Sequence, residues 1–301
     1  MKTIKPSFYD DFFCLASACR HSCCIGWEID IDEQTAALYA SVDGELGAEL
    51  KRAIAADPQP HFLLTPDQSC PFLRADKLCR LYLELGEDSL CDICTLHPRF
   101  FNSFPGREEA GLGLCCEEVV RLLLSTSAEP FLIEEDDGLA DATDPRVEQL
   151  ADLRGELLEQ LLDSSKPFFQ RLDSFRQRCG IDAPHFSGEK WKAFFLSLER
   201  MDEAWTTALC LLDRVGEQEL RDTLREERYS RILCYLLYRH LINAETPAQE
   251  RGILRFCLIG TMLVAALDAA DPAQRDEHIR AFSAEIEYSD ENVEKICWNF
   301  P

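Results

Sequence analysis

Val147–Leu162 reads VEQLADLRGELLEQLL, and it sets the fold class. Leu150, Leu153, Leu157, Leu158, Leu161 and Leu162 recur at three- and four-residue spacing, which puts them on one face of a helix. Towards the C-terminus the same period continues almost without a break. It predicts helices near 166–178, 188–200, 202–214, 217–242, 247–269 and 272–286, with Ser187-Gly188-Glu189 as a capped start. No strand-like alternation interrupts this half. The expected fold is therefore mainly α over 146–301, a helical domain.

Towards the N-terminus the helical pattern stops at an acidic, turn-rich stretch, Glu134–Pro145 (EEDDGLADATDP), which reads as a linker or long loop. Residues 1–133 before it are different in kind. They are expected to form an irregular, Cys-rich metal-binding region with little β structure, packed on the helical domain. Trp27-Glu28-Ile29-Asp30-Ile31-Asp32 alternates apolar and acidic residues, the period of a half-buried strand. Asp32–Tyr39 then reads as a helix start, and Val119–Leu124 as the beginning of another. Gly106, Gly111 and Gly113 punctuate a short segment ahead of Cys115.

The chain has 15 cysteines, and they are unevenly placed. Ten fall at 14, 19, 23, 24, 70, 79, 91, 94, 115 and 116. The other five, Cys179, Cys210, Cys234, Cys257 and Cys297, stand alone in apolar helical contexts and read as small core hydrophobes. Disulfide scaffolds are usually small and secreted. Here the cysteine number is odd, the chain is long, and MKTIKPSFYDDFFCLASACR does not read as a signal peptide. A reducing, cytoplasmic setting is expected, and metal binding explains the cysteines better.

Grouping supports that reading. Cys19-x3-Cys23-Cys24, Cys70 with Cys79 nine residues on, Cys91-x2-Cys94 and Cys115-Cys116 are four elements within about 100 residues. A soft metal needs several converging thiolates, and one tight turn can supply two of them. Four complete either a zinc tetrahedron or an iron–sulfur cluster. The ligand pool is Cys19, Cys23, Cys24, Cys70, Cys79, Cys91, Cys94 and Cys116, with Cys14 and Cys115 outside it. His21 and His97 are polar neighbours more than ligands. Arg99 follows Cys94 closely and could clamp a carboxylate in bidentate fashion, or simply form a surface ion pair.

Composition narrows the function. Lys and Arg number 31 against 55 Asp and Glu, a net charge of -24. Nucleic-acid binding and docking on an anionic membrane both need clustered cations, so both are excluded as expectations. The most apolar stretch, Ile253–Leu267, contains Arg255 and falls short of the roughly 20 residues of a membrane span. The radical-SAM triad CxxxCxxC is missing: Cys19-x3-Cys23 fits its first half, but Gly26 stands at the third position. No GxGxxG, P-loop or GxSxG is found either.

Phe12-x-Cys14, Cys19-x3-Cys23-Cys24-x-Gly26-Trp27, CPFL at 70–73, Cys79 and LGEDSLCDICTLHPR at 85–99 together resemble the flagellin lysine-N-methylase family. The Cys-rich part also resembles the zinc- or iron-chelating domain family. Leu236–Ile242 (LLYRHLI) and Glu285–Asn292 (EIEYSDEN) carry the resemblance into the C-terminal half. Two departures stand out: Cys115-Cys116-Glu117-Glu118 where the family has Ser-Cys-Pro-Glu, and His97-Pro98-Arg99 where members often read YPR. The resemblance implies transfer of a methyl group from S-adenosylmethionine to lysines of flagellin. It also implies a cysteine-bound centre, [4Fe–4S] ahead of zinc, with Arg99 on the S-adenosylmethionine side. A non-enzymatic zinc or iron–sulfur module with a helical partner-binding domain is the alternative.

Overall fold

In the computed structural model, residues 1–126, 130–138, 142–182 and 184–300 are described. The chain divides into two compact units. One comprises Phe13–Phe100 and Cys116–Glu118. The other comprises Met1–Phe12, Phe101–Cys115 and Val119–Pro301.

The larger unit is helical, as the leucine spacing requires. Its helices are α5 (Glu117–Ser125) from Val119 onward, as expected for Val119–Leu124, then α6 (Pro145–Leu162), α7 (Phe168–Cys179), α8 (Gly188–Phe195), α9 (Glu203–Cys210), α10 (Glu217–Thr223), α11 (Arg228–His240), α12 (Pro247–Ala270), α13 (Arg275–Phe282) and α14 (Asp290–Asn299). The expected helix over 217–242 is two helices, α10 and α11, and α14 was not anticipated. α6 starts on Pro145 with Asp144 as its cap; the Asp144 carboxylate accepts from the Arg146 and Val147 amides. Its buried face is Val147, Leu150, Arg154, Leu157, Leu158 and Leu161. Leu153 and Leu162 are only half-buried, and an arginine takes the central place.

α12 is the hub of this unit. It is long and apolar enough to cross a membrane by length and composition alone, since it extends past the apolar stretch at both ends. Most of it is buried against α10, α11, α13 and α14. A capping box at Thr246 and Gln249 starts it. Gly260 is required by packing: a Cβ there would sit 2.6 Å from Cζ of Phe282. Of the five solitary cysteines, Cys234, Cys257 and Cys297 are core as expected. Cys179 is half-buried and Cys210 is exposed.

The same unit holds a four-stranded sheet that periodicity did not disclose. The strands are β1 (Lys2–Pro6), β4 (Arg99–Phe104), β5 (Arg107–Leu112) and β6 (Leu132–Asp136), in the order β4-β5-β1-β6. β1 runs parallel to β5, with Ile4 opposite Glu109, and antiparallel to β6. Thus the compact units do not part at the acidic stretch. Residues 134–136 of that stretch are strand, and residues 139–141 lie outside the described residues. Pairing with β5 and β6 draws the N-terminal strand into the helical unit.

Burial in this sheet is held by an ion network. Glu109 is fully buried. It accepts from Arg154 twice, at 2.7 and 2.6 Å, and from Arg107 at 2.6 Å. Arg154 also donates to the Tyr238 carbonyl at 3.1 Å and lies over the Tyr238 ring. The Tyr238 hydroxyl reaches the carbonyls of Ile4 and Ala110. One cluster thereby ties β1, β5, α6 and α11 together. A bidentate arginine fork leaves few unsatisfied donors, so these charges are tolerated where water is excluded.

The smaller unit has short elements: α1 (Glu33–Ser41), α2 (Gly44–Ala53), β2 (Ile54–Ala55), β3 (His61–Phe62), α3 (Arg80–Leu85) and α4 (Asp92–Leu96). The alternating segment at 27–32 buries Ile29 and Ile31, as its period requires. It is not a full strand. Its pairing is limited to the Ile31 amide on the Pro60 carbonyl and the Phe62 amide on the Ile29 carbonyl. Prolines 58 and 60 leave no donors to extend that ladder.

Candidate metal centre

The core of the smaller unit is part apolar and part sulfur. Ile29, Ile31, Tyr39, Leu46, Leu50, Phe62, Phe72 and Leu81 enclose it. Cys70 and Cys91 are buried within it, and Cys24, Cys79 and Cys94 pack against it. Local backbone bonds explain the convergence. The Cys70 amide donates to the Cys24 carbonyl at 2.7 Å, which joins the first and second cysteine elements. A loop turning at Lys77, with φ +63°, folds Leu73 back against Cys79. Cys79 and Cys91 then stand at the N-terminal caps of α3 and α4.

Asp32 places the third element. One carboxylate oxygen accepts from the Thr35 amide at 2.8 Å and caps α1. The other accepts from the Asp92 amide at 3.0 Å and holds the start of α4, beside Cys91. Burial pushes the Asp32 carboxyl up, but the two amides overcome this and hold it below the usual carboxylate range. Stability contributed by a lowered carboxyl is present above its unfolded value and lost as pH falls through the folded one. Asp32→Ala is expected to cost about 2 kcal/mol, one cap at each of two helices. Urea unfolding should show it at pH 7, with the gap from the parent shrinking below about pH 4. An undiminished gap at pH 3 would refute the linkage.

Tyr39, fully buried on α1, was missed in the sequence. Its hydroxyl donates to the Ser89 carbonyl at 2.7 Å and stands 3.6 Å from the Cys91 sulfur. A cavity of about 410 Å³ lies along the same helix, lined by Thr35, Leu38, Val42 and Ser89 among others.

The thiols are electrostatically linked in pairs. The Cys94 thiol hydrogen-bonds Cys91 and holds the Cys91 thiol below its usual value, while Cys94 itself is pushed up. Likewise a hydrogen bond from Cys23 brings Cys24 down to about 7, and Cys23 is pushed up. Burial raises Cys70 to about 12 and also raises Cys79. These five, Cys24, Cys70, Cys79, Cys91 and Cys94, feel one another's charge.

A second set lies around Cys23. Cys14 and Cys116 act on Cys23, and Cys116 acts on Cys19. Burial, then the Glu117 carboxylate, raises Cys19 to about 11. The Arg20 amide and Nε grip Glu117 at 2.7 and 3.0 Å. The Lys77 ammonium donates to the Cys19 carbonyl at 2.9 Å. Of the eight pooled cysteines, Cys24, Cys70, Cys79, Cys91 and Cys94 share the core, while Cys19, Cys23 and Cys116 lie outside it, and the Cys23–Cys24 hydrogen bond joins the two groups. Cys23 and Cys24 are neighbours on the chain. Arg99 is half-buried at the start of β4. Burial lowers His97, which is therefore neutral at pH 7, the form that ligates metals.

The donor chemistry suits a soft metal: every one of these thiols is free of a disulfide, and five share one desolvated core. Among the described residues no three His, Cys, Asp or Glu side chains are grouped so as to hold a single ion. A tetrahedral zinc would need four sulfurs about 2.3 Å from one point. A polynuclear cluster asks for a wider spacing, because each thiolate binds a different iron.

Comparison with known proteins supplies a family. The chain is 33% identical over 135 residues to the Flagellar biosynthetic protein FliU of Salmonella muenchen, covering 40% of this chain and 76% of that protein. This chain belongs to the lysine-N-methylase and FliU family. It is also 32% identical over 136 residues to the Lysine-N-methylase of Salmonella typhimurium, and 30% identical over 135 residues to that of Salmonella choleraesuis. Each match covers 40% of this chain and 32% of the relative, so the match spans about a third of the length of those two methylases. No family model matches the chain, and no solved structure matches it.

Proposed function

We propose that this protein is an S-adenosylmethionine-dependent lysine N-methyltransferase acting on flagellin, with a cysteine-bound iron–sulfur centre, [4Fe–4S] ahead of zinc. The observation that carries the reading is the sulfur-rich core of the smaller unit, in a chain whose relatives bear the names Lysine-N-methylase and FliU. Four ligands would come from Cys24, Cys70, Cys79, Cys91 and Cys94. Cys19, Cys23 and Cys116 remain the second set. Bound there, a cluster would supply an iron able to take the amino and carboxylate groups of S-adenosylmethionine.

The chain's own residues have three tasks. First, the substrate lysine must be neutral to attack, although its reference pKa is about 10.4. Desolvation or a base must remove its proton. The nitrogen lone pair then forms the new N–C bond, the methyl–sulfonium bond breaks, and S-adenosylhomocysteine and a proton leave. Second, the acidic surface draws in a cationic segment. Asp30, half-buried with one carboxylate oxygen lacking a hydrogen-bond partner, lies on the Ile29–Ile31 segment and bridges His61 through the backbone. Third, Arg99 could clamp a carboxylate of the cofactor.

Co-expression with flagellin tests this. Intact-mass measurement of the flagellin is expected to show methyl-sized increments on lysines, absent without the protein. Soluble, metal-loaded protein that leaves flagellin unshifted would reject the activity. A colourless preparation carrying stoichiometric zinc would favour the non-enzymatic module. The cytoplasm is the setting this reading requires.

A further inference from the structure

The larger unit carries a cavity of about 540 Å³ whose charge runs against the rest of the chain. Three cations line it: Lys190 on α8, and Arg251 and Arg255 on α12. Asp182 is the carboxylate lining it, and His185 stands beside. Over the whole chain acids outnumber bases 55 to 31. Several other cations of this unit take carboxylate partners: Arg146 holds Glu250, Lys192 holds Asp213, Arg228 holds Asp276 and Arg280 holds Glu277. Among the described residues Lys190 and Arg251 hold no ion pair, and both are exposed. Arg255 donates to a neutral acceptor, the Phe300 carbonyl, at 2.5 Å.

Arg251 and Arg255 are also one helical turn apart. Like charges at that spacing repel and weaken a helix slightly. An acidic protein could easily have placed a glutamate between them. Instead the cations converge on a concavity.

We infer that this cavity binds an organic phosphate of nucleotide size. Three cations against one carboxylate leave room for a ligand of charge about -2, which a phosphate ester supplies and a monocarboxylate does not. Guanidinium groups meet phosphate oxygens in bidentate fashion. The volume lies within the range of small-molecule sites, about 300–1,000 Å³. Ile181, Pro184 and Trp191 are the apolar part of the lining, against which the uncharged part of such a ligand can rest. S-adenosylmethionine is a poor fit, because its sulfonium and ammonium would face three cations. The inference does not rest on methyl transfer and survives its failure.

Isothermal titration of the full-length protein with ADP tests it, with pyrophosphate, adenosine, S-adenosylmethionine and a short polyglutamate peptide alongside. ADP is expected to bind, more tightly than pyrophosphate, with adenosine and S-adenosylmethionine silent. Raising salt should weaken it. The double variant Lys190→Ala/Arg251→Ala should lose at least tenfold in affinity; both side chains are at the surface, and unchanged helical circular dichroism would show that the fold is kept. ADP that fails to bind, binds the double variant equally well, or binds no better than pyrophosphate overturns the proposal. So does a preference for the polyglutamate peptide.

Discussion

Under the proposed iron–sulfur reading, Cys91→Ala is expected to leave the anaerobically purified protein with only background metal, measured as iron, acid-labile sulfide and visible absorption per chain. Cys91 is completely buried, at the cap of α4, and its sulfur sits against the Tyr39 hydroxyl and the Cys94 thiol. Metal ligands must be deprotonated, and a bound cation is what makes that possible in a desolvated core. Losing one thiolate of four removes both a bond and the charge that balanced the centre. Cys79→Ala, at a less buried position, should lose metal too, and guards against a variant that merely misfolds. Cys210→Ala is the control: the residue is exposed, alone and in the other unit, and iron should stay. Cys19→Ala separates the two sets. If it keeps full metal while Cys91→Ala and Cys79→Ala lose it, the five-thiol core is the site. Full metal in the Cys91 and Cys79 variants would sink the assignment.

The cysteine pattern was legible because it is written in spacing. Close pairs such as Cys91-x2-Cys94 are local, and a turn or helix cap brings their sulfurs together whatever the rest of the chain does. The helical half was legible for a similar reason: a leucine stripe reports its own period. What stayed hidden depends on distant partners. RFFNSF at 99–104 and REEAGL at 107–112 show no clean alternation, since β5 is covered on both faces and carries buried charges. A strand of that kind is defined by β1 lying a hundred residues upstream. Tyr39 looked like one more aromatic on a helix; only the fold sets its hydroxyl beside Cys91. Sorting the eight cysteines into two groups likewise needed the packed core, which takes in five of the sulfurs and leaves three outside.

Glu109→Ala is expected to cost about 3–5 kcal/mol, because it leaves two buried guanidinium groups with no counter-charge. Arg107 and Arg154 are 4% and 1% exposed, so water cannot take the carboxylate's place. For a unit of this size the loss should lower the melting temperature by roughly 10 °C. The asymmetry of the network gives a sharper test than the size alone. Arg154→Met removes one cation, but Glu109 keeps its 2.6 Å bond to Arg107, so the carboxylate is not orphaned. Methionine also fills much of the arginine stem's volume against Tyr238. It should therefore cost less than Glu109→Ala. In the double variant Glu109→Ala/Arg154→Met only Arg107 is left unpaired, and the loss should fall well short of the sum of the singles. Additive losses would mean that Arg154 contributes through packing on Tyr238 rather than through the ion network. The sheet and the α6–α11 pair would then be joined by shape, and the charges at their centre would be replaceable by an apolar pair of equal volume.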